Sequence, residues 1–139
     1  MGLIINRTLI LIGMTAVRKI REITSAAEMR AAIEAVLAEV ETFRRVTEEK
    51  RFHIKLALNE LIANSLEHTG HSYAKLMYEV GDHSFKACVL DKGQGFCLEQ
   101  CKCSDVYSKE GRGVFLVKCV SDSVRYNKTG NVVVVKINF

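Results

Sequence analysis

Glu60, Asn64 and His68 stand four residues apart inside a run that is otherwise strongly apolar. On a helix, steps of four fall on one face, with side chains about 6 Å apart along the axis at ~1.5 Å rise per residue. Around them Ile54, Leu58, Leu61, Ile62 and Leu66 supply the apolar body, together with Phe52 and Leu56. A carboxylate in such surroundings is costly unless something pairs with it. The spacing suits a carboxylate reaching for a proton beside an amide oxygen that ligates a hard cation such as Mg²⁺. Equally open is a structural role, in which Glu60 and Asn64 cap neighbouring backbone and Glu60 meets an arginine.

A second segment, Asp91-Lys92-Gly93-Gln94-Gly95-Phe96, directly follows an apolar stretch. An aspartate at the end of a central strand can accept a hydrogen bond from a buried ligand amine. Gly93 and Gly95 allow a tight turn and the close approach of a flat ring. A third segment, Glu110-Gly111-Arg112-Gly113, opens a helix. Free N–H groups at a helix start, aided by the helix dipole, cradle phosphate, and Arg112 adds a charged donor. Each short pattern alone is also an ordinary turn. Their fixed order, with a loop between the last two long enough to close over a nucleotide, points to one shared pocket.

The elements that must position these residues follow from periodicity. Val17 to Ile23 reads as a strand of mixed polarity. Thr24-Ser25 supplies helix N-caps, with Glu28 at capping-box distance from Ser25. Met29, Ile33, Val36, Leu37, Val40 and Phe43 then repeat every three or four residues, and Arg30, Glu34, Glu41 and Arg44 face solvent. A second helix spans roughly Glu48 to Glu67, apolar almost all round and therefore buried against a sheet, with Gly70 ending it. Tyr73 to Val80 and Phe85 to Leu90 are strands joined at Gly81-Asp82. A loop runs from Asp91 to Glu110, a short helix from Val114 to Val120. Ser123–Tyr126 and Val132–Phe139 make a hairpin across Asn127-Lys128-Thr129-Gly130. Helices segregated onto one face of a mainly antiparallel sheet give an α+β two-layer sandwich.

The chain has 139 residues, 48% hydrophobic and 26% charged, with no proline, which suits a single sheet-plus-helix domain. The net charge of +4 is spread along the chain, so a basic groove for nucleic acid is not expected. Five cysteines form no pairing framework and read as reduced thiols of a cytoplasmic protein. Cys97, Cys101 and Cys103 lie close together, with His68 and His71 as conceivable co-ligands, but they lack the paired spacing of common zinc sites. A thiol-rich, redox-sensitive loop is the plainer reading. The run Leu9–Ile12 is too short to cross a bilayer and reads as a β-strand or as a segment pairing with a second chain. No membrane partner is expected.

Leu58–His68 resembles the N box of the GHKL ATPase/kinase superfamily, Asp91-Lys92-Gly93-Gln94-Gly95 its G1 box and Gly111-Arg112-Gly113-Val114 its G2 box. The short chain, the compact lid and the E-x-x-x-N-x-x-x-H form are most similar to the anti-sigma-factor serine/threonine kinases. The resemblance covers residues 17–139 and leaves 1–16 as an N-terminal extension or extra strand. It implies a Bergerat fold that binds ATP and Mg²⁺. Glu60 would be the general base and Asn64 the Mg²⁺ ligand. Asp91 would take the adenine amino group. His68, Gly93 and Gly95 would complete the cofactor site, with Gly111, Arg112, Gly113 and Val114 at the phosphates. It further implies a homodimer that binds a sigma factor and phosphorylates a serine of a STAS-type antagonist. Asn131 stands where relatives often have threonine, which removes a hydroxyl contact. The function expected is therefore protein serine/threonine phosphorylation. The alternative is a non-catalytic ATP-binding switch that sequesters a partner.

Overall fold

Ser25 begins the first helix as its position predicts. The Glu28 amide donates to Ser25 Oγ at 3.1 Å, and the Met29 amide donates to the Ser25 carbonyl at 2.9 Å. The return arm of the cap differs slightly from a capping box: Glu28 Oε1 accepts the Thr24 hydroxyl at 2.6 Å. From there α1 (Ala26–Phe43) buries Ala32, Ile33, Val36, Leu37 and Val40, the spacing of a single apolar stripe. Thr47 caps the next helix in the same way, its Oγ1 accepting the Lys50 amide at 3.1 Å.

The computed structural model describes residues 2–5, 8–11, 17–43, 45–68, 72–91, 109–127 and 131–139. Its strands are β1 (Gly2–Ile5), β2 (Thr8–Leu11), β3 (Val17–Ile23), β4 (Ala74–Val80), β5 (Ser84–Leu90), β6 (Ser123–Tyr126) and β7 (Val132–Asn138). They form one sheet in the order β1-β2-β3-β4-β5-β7-β6, antiparallel throughout. The core strands alternate strictly. Leu76, Tyr78 and Val80, then Phe85, Ala87 and Val89, then Val133, Val135 and Ile137 are buried on one face. That face is covered by α1, α2 (Glu48–His68) and α3 (Lys109–Val120). The result is the two-layer α+β sandwich that the pattern predicts.

Two expectations need correction. The second helix is not apolar all round. It buries Ile54, Ala57, Leu58, Leu61, Ile62 and Ser65, while Phe52 is 58% exposed and Lys55 and Asn59 face solvent. Neighbours on both flanks, α1 and α3, cover enough of α2 that its pattern carries little amphipathic signal. The last helix begins at Lys109 rather than Val114, so the glycines lie inside its first turns. The N-terminal run forms strands within the chain, β2 pairing with β3 through Thr8↔Lys19 and Ile10↔Val17. Gly70 lies outside the described residues. Among those residues, no helix is long and apolar enough to cross a membrane.

Candidate functional site

Glu60 and Asn64 are half-buried on α2, next to the fully packed Leu61, Ile62 and Ser65. Neither side chain has a hydrogen-bond or ion-pair partner among the described residues. The capping and arginine-pairing role left open by the sequence is therefore not seen there. The side chain of His68 lies outside the described residues.

Asp91 follows β5 directly and is half-buried. Its amide donates to the Asn131 carbonyl at 3.0 Å, which ties the end of β5 to the start of β7. Asn131 in turn accepts from Asn127 Nδ2 at 2.6 Å, and Asn127 Oδ1 accepts the Val132 amide at 3.2 Å. The asparagine that replaces the expected threonine thus holds the hairpin beside Asp91. Sequence reading flagged this position only as a departure, because its contact partner lies forty residues away in the chain (131 − 91).

Register decides whether these groups meet. Lys75 pairs with Leu90, and Leu90 with Val132, so the start of β4, the end of β5 and the start of β7 share one edge of the sheet. The C-terminal end of α2 is joined to that edge by residues 69–73 alone, a connection spanning at most about 20 Å. Asn64 and Asp91 therefore belong to the same end of the molecule. The last helix ends three residues before Ser123, which pairs with Lys136 toward the opposite end. The helix is about 18 Å long and packs against α2. Gly111 and Arg112 fall in its first turn, where N–H groups lack intrahelical acceptors, whereas Gly113 and Val114 come one turn in, where amides bond within the helix, so the earlier start removes them from the free donors expected at the phosphates. The side chains of Arg112 and Val114 lie outside the described residues, as do Gly93, Gly95, His71, Cys97, Cys101 and Cys103. Among the described residues no cluster of histidine, cysteine and acidic side chains could hold a metal.

A polar cluster that the sequence reading did not single out sits under α1. Lys19 pairs with Glu39, and the Tyr78 hydroxyl donates to the same carboxylate. Arg21 lies beside Tyr78, while its Nε is buried without a partner among the described residues. Burial raises the Tyr78 pKa above its ordinary 10.0, against the opposing pull of Arg21. Burial, and then the like charge of Arg21, lower that of Lys19 despite the Glu39 carboxylate beside it. The only sequence signal was the alternation of Lys19 and Arg21 with Ile23 on the helix-facing side of β3.

An antiparallel sheet of seven strands with three helices packed on one face defines a two-layer α+β domain. The model of the histidine kinase-like ATPase domain matches residues 21–137. The chain belongs to that family, which carries with it ATP binding of the GHKL type. No curated protein matches the chain.

Proposed function

We propose that this domain is a protein serine/threonine kinase that transfers the γ-phosphoryl group of Mg·ATP to a serine of a STAS-type antagonist protein. Through that partner it would regulate a sigma factor in the cytoplasm. The observation that carries the reading is the half-buried Glu60–Asn64 pair without protein partners, on the helix whose end meets the Asp91 edge. Their chemistry fits the cofactor: an amide oxygen suits a hard cation such as Mg²⁺. Phosphoryl transfer depends on positioning and charge neutralisation, with one group orienting the attacking hydroxyl. In this reading Glu60 takes the proton of the serine hydroxyl and Asn64 holds the cation. Asp91 accepts from the adenine amine, and the first turn of α3 donates to phosphate.

Purified protein incubated with γ-labelled ATP and a STAS-type partner tests the proposal, the expected result being label on the partner. A Mg·ATP-dependent thermal shift without label would replace it with the sequestering switch. Saturation at 100 times the dissociation constant adds about 2.7 kcal/mol to stability, so absence of any shift would remove both.

A further inference from the structure

Asp91 and Asn131 stand opposite each other where β5 ends and β7 begins. Val89 pairs with Val133 and Leu90 with Val132, and the Asp91 amide donates to the Asn131 carbonyl at 3.0 Å, so these two residues form the next pair. Val89 and Val133 are buried on the helix-covered face. Two residues further on, the alternation of side chains returns Asp91 and Asn131 to that same face. Both are half-buried there.

The polarity of the Asn131 carboxamide is set by hydrogen bonds that begin at the backbone. The main-chain N–H of Val132 can only donate, and it donates to Asn127 Oδ1 at 3.2 Å. That contact decides which end of the Asn127 carboxamide is oxygen. The other end, Nδ2, donates to Asn131 Oδ1 at 2.6 Å. Asn127 is itself anchored, its main-chain N–H donating to the Val132 carbonyl at 3.1 Å. Asn131 therefore turns its oxygen toward Asn127 and carries its Nδ2 donor on the other side. Turning the group over would set two NH₂ groups against each other.

We infer that Asn131 is a base-specificity residue, its Nδ2 donating to N1 of a 6-aminopurine while the Asp91 carboxylate accepts from the 6-amino group. This rests on the nucleotide reading of Asp91. A 6-aminopurine shows a donor beside an acceptor along this edge; a 6-oxopurine shows an acceptor beside a donor at the same two positions. A hydroxyl, which both donates and accepts, tolerates either pattern at N1. A carboxamide of locked polarity does not, because the wrong base leaves buried polar groups opposed. Asn127 is the positioning residue that holds the lock. An asparagine in place of threonine thus sharpens the choice of base.

Equilibrium titration of the full chain with Mg·ATP and with Mg·ITP, its 6-oxo counterpart, tests the assignment. Wild type should favour ATP by about 100-fold, the discrimination of one good bidentate base contact. Asn131→Thr should cut that preference roughly 10-fold, chiefly by admitting ITP. Asn127→Asp keeps an acceptor for the Val132 N–H but offers Asn131 no donor, so the carboxamide turns over. The preference should again fall roughly 10-fold, with the unfolding midpoint unchanged. A hairpin that was merely loosened would weaken both nucleotides alike and leave the ratio as it was. A wild-type ratio in either variant, or equal affinity of the wild type for the two nucleotides, overturns the role of Asn131. A wild type that binds neither nucleotide instead overturns the adenine reading of Asp91, and this inference with it.

Discussion

Two glutamates on neighbouring helices show how differently the same group can be used. Glu39 of α1 and Glu60 of α2 are both half-buried. Glu39 is surrounded by Lys19 and the Tyr78 hydroxyl, whereas Glu60 has no partner among the described residues. A buried carboxylate whose partners are in place is part of the scaffold. One left without them, on a helix whose neighbouring positions are closely packed, carries a desolvation cost that the scaffold does not recover. In the proposed reading, the difference separates a structural acid from one available for a ligand, although both look alike in composition and helical position.

The sharpest way to break the contrast is to neutralise each acid in turn. Glu60→Gln should lower phosphoryl transfer at least ~100-fold, the scale of a lost general base. Nucleotide binding and the unfolding midpoint should stay nearly unchanged. Full transfer activity in this variant, measured with labelled ATP, would remove Glu60 from the chemistry. Glu39→Ala should do the reverse. It leaves Lys19 and Arg21 facing each other without their counter-charge, at a cost of about 2 kcal/mol in urea unfolding, reduced from the fully buried case because Glu39 retains some solvent contact. A loss below about 0.5 kcal/mol, the range of ordinary surface substitutions, would mean that the cluster is not holding α1 to the sheet.

The contrast also marks where sequence reading succeeds. The Ser25 cap, the α1 stripe and the alternating core strands are local patterns, and local patterns survive in one dimension. The segments around Glu60, Asp91 and Gly111 were each weak alone. The pairing Lys75↔Leu90↔Val132, which sets the Asp91 end of β5 beside the starts of β4 and β7, is contained in no single segment. The cluster under α1 was invisible for the same reason, since Glu39 and Tyr78 are 39 positions apart. Phe52 misled for another: an apolar residue on a mostly buried helix is expected inside, yet its side of α2 is left open.

The smallest effect tests the structural half of the comparison by its pH dependence. Tyr78 is buried, and its pKa is raised above 10.0. The unfolded chain therefore gives up this proton at lower pH than the folded one. The stability that the neutral phenol contributes is complete below pH 10 and is lost as pH rises toward and through the folded value. Tyr78→Phe removes the hydroxyl that donates to Glu39, at a cost of about 1 kcal/mol near neutral pH. It also removes this share of the alkaline loss, so the wild-type and Tyr78→Phe stability curves should converge above pH 10. Lys19 acts in the opposite sense, because its lowered pKa makes the folded state favour the neutral amine as pH approaches 10.5. Since Lys19 is present in both proteins, its contribution largely cancels in their difference. Urea unfolding of both proteins between pH 7 and about 11 checks the sign; curves that stay parallel across that range would show that the phenol does not titrate against the fold.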